Sequence, residues 1–186
     1  MNRLFVLMIC FCCACQQVTV PKPKAFLSLE YPKANYQHIE TQLPFVFEKN
    51  KLTTIETVSK NQKITGLNLN YPALNATVYL TYNSINNNLK KYTSQTQSIT
   101  QKHAKIAREV SERSFENLQA NVYGKLYDLK GPVASQLQFF VSDRKRHFIS
   151  GALYFKVRPN YDSIFPAVAY VKKDVVRLME SVRWKN

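Results

Sequence analysis

The chain has 186 residues, of which 26 are Lys or Arg and 12 are Asp or Glu, so its formal net charge at pH 7 is +14. This length is sufficient for one domain with a hydrophobic core, and no internal repeat or low-complexity stretch divides it. All four cysteines lie within positions 10–15, which excludes disulfides and cysteine-bound metals from the remaining chain.

Residues 1–14 have the pattern of a signal peptide, in which one basic residue, Arg3, precedes an uncharged apolar run over residues 4–14. That run is shorter than the ~20 residues that a transmembrane helix needs. Ala14 supplies the small side chain that a lipoprotein signal peptidase needs directly before an acylated cysteine. The sequence therefore predicts cleavage before Cys15 and lipid attachment to its sulfur. The alternative is an ordinary secretory signal.

Residues 15–24 form the predicted tether, in which Pro21 and Pro23 favour an extended backbone. Two or three acyl chains on Cys15 would hold the protein at a bilayer almost permanently, because each buried methylene contributes ~0.8 kcal/mol. Gln16 is not the Asp that retains some lipoproteins at the inner membrane. We therefore expect a location in the cell envelope, on the outer membrane and facing the periplasm.

The positive charge first suggests nucleic acid as a partner. An exported protein rarely meets nucleic acid, and the lysines are scattered and form no recognisable binding motif, so we predict no nucleic-acid partner. Anionic lipid headgroups, lipopolysaccharide, a glycan or an acidic protein are better candidates, especially at the basic run over residues 144–146. The alternative is that this charge is a solvated surface.

Within residues 25–82, apolar and polar positions alternate, which predicts half-buried β-strands. Pro32 and Pro72 end two of these runs, because proline donates no hydrogen bond to a strand ladder. The apolar positions spaced by two are Leu27 and Leu29, Phe45 and Phe47, Leu67 and Leu69, and Ala76, Val78 and Leu80.

The pattern changes over residues 84–114, where apolar positions follow one another at alternating steps of four and three. This spacing predicts one face of a long amphipathic helix lying across a sheet. The positions of this stripe are Ile85, Leu89, Tyr92, Thr96, Ile99, His103, Ile106 and Val110.

Strand character returns over residues 121–129, 134–142 and 147–155, and a second amphipathic helix begins at Asp162 and Ser163. The apolar stripe of this helix is Ile164, Val168, Val171, Val175, Leu178 and Val182. We therefore predict an α+β fold for residues 25–186. A single-domain antiparallel β-sheet of about six to seven strands would be covered by two long amphipathic helices, in an αβα-sandwich-like arrangement.

An active site could in principle combine Asp143 and His147 with Ser135 or Ser142 as the nucleophile. However, residues 143–146 are typical of a turn, and no Gly-x-Ser-x-Gly motif is present, so a hydrolase is the weakest alternative. We predict no enzyme activity.

We also predict no metal and no cofactor. The three histidines, His38, His103 and His147, stand in three separate predicted elements, and no phosphate-binding glycine loop occurs. Because His103 lies on the apolar stripe, we expect a core histidine there.

Several short segments, in the same order along nearly the whole mature chain, carry a resemblance to one family. The most specific part is residues 151–155 followed by residues 159–163. The other segments are residues 20–24, 43–48, 70–72, 76–82, 122–124, 135–143, 147–148 and 179–180, with Trp184. With the lipoprotein start, they make the sequence similar to the gliding motility lipoprotein GldD family. The chain departs from that family in having Leu43 where members often carry a cysteine.

The resemblance implies a non-enzymatic accessory protein of the gliding apparatus of Bacteroidetes-type bacteria, functionally linked to type IX secretion. Its partners would be a membrane, through the lipid anchor, and other gliding or secretion proteins. Only Cys15 takes a clear chemical role from the family. The candidate partner-binding residues, which match family-like stretches near loops, are Ser142, Asp143, His147, Asn160 and Asp162.

Overall fold

The computed structural model describes residues 30–156 and 160–185. The predicted signal peptide, the acylated Cys15, the tether and the expected strand at Leu27 and Leu29 lie outside these residues. Within the described part of the chain, no helix combines the length and the apolar character needed to cross a membrane.

Strands dominate the described residues. They are β1 (Tyr36–Glu40), β2 (Phe45–Asn50), β3 (Thr54–Lys60), β4 (Lys63–Tyr71), β5 (Ala76–Ser84), β6 (Glu109–Asn117), β7 (Val122–Lys130), β8 (Leu137–Ser142), β9 (His147–Phe155) and β10 (Arg183–Trp184). The two α-helices are α1 (Leu89–Ala104) and α2 (Tyr161–Ser181), and a short 3-10 helix spans Pro72–Leu74.

The strands form two antiparallel sheets. The large sheet has seven strands in the order β3-β4-β5-β9-β8-β7-β6, and the small sheet has the order β1-β2-β10. The predicted α+β fold with a large antiparallel sheet and two helices is confirmed. The prediction of a single sheet is wrong, because the end of the chain returns to pair with β2, where Trp184 lies opposite Phe45.

The first helix is shorter than predicted. It ends at Ala104, and β6 follows it and pairs with β7 along its whole length. The side chains of Ile106 and Val110 fit the helical spacing but are 58% and 43% exposed, so no buried face selects a helix there. From Glu109 onward, continuous antiparallel pairing with β7 determines the conformation instead. The prediction of two long covering helices is therefore wrong for the first one.

The two helices lie on opposite faces of the large sheet. Because side chains alternate along a strand, Phe139 belongs to the core beneath α2, whereas Phe140 belongs to the cluster beneath α1. Of α1, only Thr96 and Thr100 are buried, so this helix covers its face less completely. The buried positions of α2 include the predicted Ile164, Val168, Val171, Val175 and Leu178.

A buried carboxylate joins the small sheet to α2 and to the large sheet. Asp174, which is 4% exposed, accepts hydrogen bonds from the Tyr36 hydroxyl at 2.8 Å, Asn50 Nδ2 at 3.0 Å and the Tyr71 hydroxyl at 3.1 Å. These donors stand on β1, β2 and β4. Burial, together with Asp174, raises the pKa of both tyrosines above the ordinary value. One side chain of α2 thus fastens three strands.

Candidate interaction site

The turn between β8 and β9 brings three of the predicted site residues together. Asp143 Oδ1 accepts hydrogen bonds of 2.8 to 2.9 Å from the backbone N–H groups of residues 145–147. Ser142 Oγ donates to the His147 carbonyl oxygen at 2.6 Å and accepts from the Arg144 N–H at 2.9 Å. Partial burial acts to raise the pKa of Asp143, but the N–H donors outweigh it and hold that pKa below its ordinary value. Both side chains therefore fix the shape of the turn.

Arg144 occupies the tip of this turn. Its φ of 63° lies in the left-handed region, which costs a residue with a side chain roughly 1 kcal/mol. Its guanidinium carbon lies 3.6 Å from the centroid of the Tyr123 ring on β7, a cation–π contact. The turn thus holds a guanidinium over an aromatic ring at a position where the backbone alone would favour glycine.

His147 is buried at the start of β9, where its ring is held by two residues that are distant in sequence. Its Nδ1 lies 2.9 Å from the Tyr82 hydroxyl oxygen, and its ring stacks on Trp184 with centroids 5.0 Å apart. Burial lowers the pKa of His147 although Asp143 acts in the opposite direction. Within the described residues, the buried Nε2 atom has no hydrogen-bond partner. The ring is therefore uncharged at neutral pH and packs between β5 and β10.

A groove beside the turn is lined by basic side chains from two distant parts of the chain. It has a volume of about 520 Å³, and we call it the basic groove. Of its cations, Lys185 forms an ion pair with Glu40 at 3.1 Å. The other four are exposed and form no ion pair with a carboxylate in the described part of the chain. These four are Arg144, Lys145, Arg146 and Arg183.

Asn160 and Asp162 do not join this cluster. They lie at the start of α2, where the Asn160 carbonyl oxygen accepts hydrogen bonds from Ser163. The neighbouring Tyr161 interacts electrostatically with Lys130 at the end of β7, whereas Ser142 lies opposite Tyr123 at the beginning of that strand. The predicted site residues thus fall into two groups at opposite ends of β7.

The hydrogen bonds at the turn do not form a Ser-His-Asp relay. His147 Nδ1 faces Tyr82, and Asp143 Oδ1 is engaged by the backbone. Ser135 is fully buried and donates its hydroxyl to the Leu137 carbonyl oxygen at 3.1 Å. The geometry gives no support to the hydrolase alternative.

The histidines also remain apart. His38 Nε2 lies 3.2 Å from Glu40 Oε1 on β1. His103 is partly buried on α1, where burial lowers its pKa. In residues 30–156 and 160–185, no group of three or more His, Asp, Glu or Cys side chains could hold a metal ion.

Sequence reasoning missed the long-range members of this region, namely Tyr82, Tyr123, Arg183 and Trp184. Sheet pairing brings them to the turn: β5 pairs with β9, β7 pairs with β8, and β10 pairs with β2. The available signal in the sequence was the pair of basic residues, Arg183 and Lys185, that flanks Trp184, the single tryptophan.

The fold and the site define a small α+β domain, built on a large antiparallel sheet and carrying a basic groove at one end. The chain belongs to the gliding motility lipoprotein GldD family, whose family model matches residues 16–184. The resemblance drawn from the sequence is thereby confirmed. Membership indicates a lipid-anchored envelope protein associated with the gliding machinery, and this family is not a known enzyme family. No curated protein matches the chain.

Among solved structures, the chain is similar to the solution structure of cyanobacterial PsbP (CyanoP) from Synechocystis sp. PCC 6803. The two structures superpose with a TM-score of 0.51 at 10% sequence identity, and the match covers 89% of this chain and 99% of that chain. At this identity, the similarity shows the fold alone.

Proposed function

We propose that this protein is an accessory lipoprotein of the gliding and type IX secretion machinery, and that it acts by binding other proteins rather than by catalysis. The observation that carries this proposal is the family match over residues 16–184. That match begins directly after Cys15, the position at which we expect the acyl chains. Gln16 favours the outer membrane, with the domain facing the periplasm.

The side chains at the β8–β9 turn support a binding role. Ser142 and Asp143 shape the turn, and His147 supports its base through Tyr82. The neighbouring cations of the turn, Arg144, Lys145 and Arg146, are exposed. Asn160 and Asp162 are predicted to form a second contact region at the start of α2.

The proposal is tested by deleting the gene in the native organism and restoring it in two forms. Deletion should abolish both spreading on surfaces and secretion of large adhesins, and the unaltered gene should restore both. A Cys15→Ser form at equal abundance should fail, because the domain is no longer held at the membrane. Normal spreading and normal secretion in the deletion strain would contradict the proposal.

A second candidate function is binding of an anionic envelope molecule such as a lipid, lipopolysaccharide or glycan. The four exposed cations of the basic groove that have no carboxylate partner among the described residues, together with the net charge of +14, favour it. Such binding should weaken steeply with added salt, because exposed charges are screened beyond ~8 Å at physiological ionic strength. Absence of binding to lipopolysaccharide or anionic liposomes at low salt would exclude these ligands.

A further inference from the structure

A second groove lies on the other side of Arg144, between the first turns of α1 and strands β6 to β8. It has a volume of about 430 Å³, and we call it the apolar groove. Leu89 and Thr93 form one wall, and Tyr123 and Phe140 contribute aromatic surface. Gly124 also lines the groove, and it permits the close approach of β7 to β8, because a Cβ atom there would meet the Phe140 carbonyl oxygen at 2.1 Å.

The apolar groove and the basic groove share one wall. Tyr123 and Arg144 line both of them, and their cation–π contact makes a single ridge between the two depressions. Because Arg144 is held by the Tyr123 ring, its donor groups are positioned before any ligand arrives. The two grooves therefore form one bipartite surface at the end of the large sheet.

The two halves of this surface differ in electrostatic character. On the apolar side, Lys125 is neutralised by its ion pair with Glu112 on the neighbouring strand. On the basic side, the four exposed cations have no carboxylate partner in the part of the chain that the structure describes. A complementary ligand has negative charge on one side and an apolar group on the other.

The surface lies at the other end of β2 from the point at which the described residues begin. The chain enters the described domain near Tyr31, which stacks on Tyr170 at the Asn50 end of β2. The basic groove lies at the Phe45 end of the same strand, where Trp184 is paired. The two ends are roughly 16 Å apart at the ordinary strand rise. The basic groove and Tyr31 thus lie at opposite ends of β2.

We propose that the two grooves together bind an extended segment of a partner protein in which acidic side chains lie on one side of a large apolar side chain. The carboxylates occupy the basic groove, where arginine can bind them through paired hydrogen bonds. The apolar side chain fills the groove beside α1. This inference rests on the proposed function, since it names the chemistry of the protein partner.

The test uses the complete acylated chain held in phosphatidylcholine nanodiscs and a fluorescein-labelled peptide in which a run of Glu adjoins Leu and Phe. We expect saturable binding in fluorescence anisotropy at low salt. A peptide with Gln in place of every Glu should bind at least about tenfold more weakly, and so should one with Ala in place of Leu and Phe. These comparisons use the unaltered protein and do not depend on the folding of any variant.

Matched variants locate the site. The double change Lys145→Glu and Arg146→Glu should weaken binding at least about tenfold, because two attractions become two repulsions. The double change Lys60→Glu and Lys63→Glu alters the net charge equally at the exposed β3–β4 turn and should leave binding within about twofold. If both double variants weaken binding equally, the loss of binding is caused by the change in net charge, and the inference is overturned.

The apolar half has its own pair of variants. Thr93→Trp should fill the groove and weaken binding at least about fivefold. Gln101→Trp, on an exposed position of the same helix, should change nothing. Equal binding by the Thr93→Trp protein would overturn the apolar half of the inference.

Two further outcomes distinguish this inference from a lipid-binding site and from the proposed function alone. Displacement of the peptide by glycerophosphoglycerol, the soluble phosphatidylglycerol headgroup, at the concentration at which unlabelled peptide competes would identify a lipid site and overturn the inference. In cells, the Lys145→Glu and Arg146→Glu strain should spread as poorly as the deletion strain. Normal spreading by this strain beside a non-spreading deletion strain would overturn the inference and leave the proposed function standing.

Discussion

Replacing Asp174 should produce the largest loss of stability of any single polar residue on α2. Its hydrogen-bond donors Tyr71 and Asn50 are only 5% and 1% exposed, so water cannot replace the carboxylate for them. A buried donor without a partner costs ~1–3 kcal/mol, so Asp174→Ala should lower the free energy of unfolding by about 4 kcal/mol. Tyr36 is half-buried and adds less, because its hydroxyl reaches water.

Urea unfolding followed by the fluorescence of Trp184, the single tryptophan, measures this loss. Asp174→Asn keeps the size of the side chain but presents an amide donor to other donors, so it should cost about 2 kcal/mol. The exposed neighbour Lys173 provides the control, and Lys173→Ala should stay within about 0.5 kcal/mol of the unaltered protein. A loss below about 1 kcal/mol for Asp174→Ala would refute the reasoning that one carboxylate fastens the small sheet.

Three more outcomes are expected from the same unfolding assay. The pKa values of Tyr36 and Tyr71 are raised chiefly by burial, so the unfolded chain loses these protons first and stability should fall as the pH rises above about 10. A flat profile up to about pH 11 would contradict this. Burial lowers the pKa of His147, so the unfolded chain binds a proton first. Stability should therefore fall as the pH drops below about 6.5, with a shallower slope in His147→Gln. An unchanged slope in that variant would argue against this role of the imidazole. Gly151→Ala should lower the free energy of unfolding by ~1–3 kcal/mol, because a Cβ atom would lie 2.3 Å from the ring of Phe139. Unchanged stability would show that this packing is looser than described.

The sequence predicts best those elements that have one buried face. β9 has the predicted bounds, and the predicted stripe of α2 is buried, because in both cases an apolar period marks the contact with the core. The strand β3 escapes notice because nearly all of its side chains are exposed at the edge of the sheet, so it has no apolar period to reveal it. The segment that leads into β6 is wrongly predicted to be helical for the opposite reason. Ile106 and Val110 have a helical spacing, but both side chains are exposed, so this spacing marks no contact with the core.

The candidate site is predictable only where its members are neighbours in the chain. Ser142, Asp143 and His147 come together because one turn contains them all. Tyr82 and Trp184 reach His147 through strand pairings that link distant segments, and no local pattern encodes such pairings. The basic groove depends on the same long-range pairing, which adds the C-terminal cations to those of the turn.

Anchoring through Cys15 is tested most directly by feeding radiolabelled palmitate to cells that produce either the unaltered protein or the Cys15→Ser protein. We expect label in the immunoprecipitated unaltered protein and none in the Cys15→Ser protein, which should also leave the membrane fraction. Absence of label from the unaltered protein, together with identical maturation and fractionation of the two forms, would contradict a lipid-anchored role in gliding.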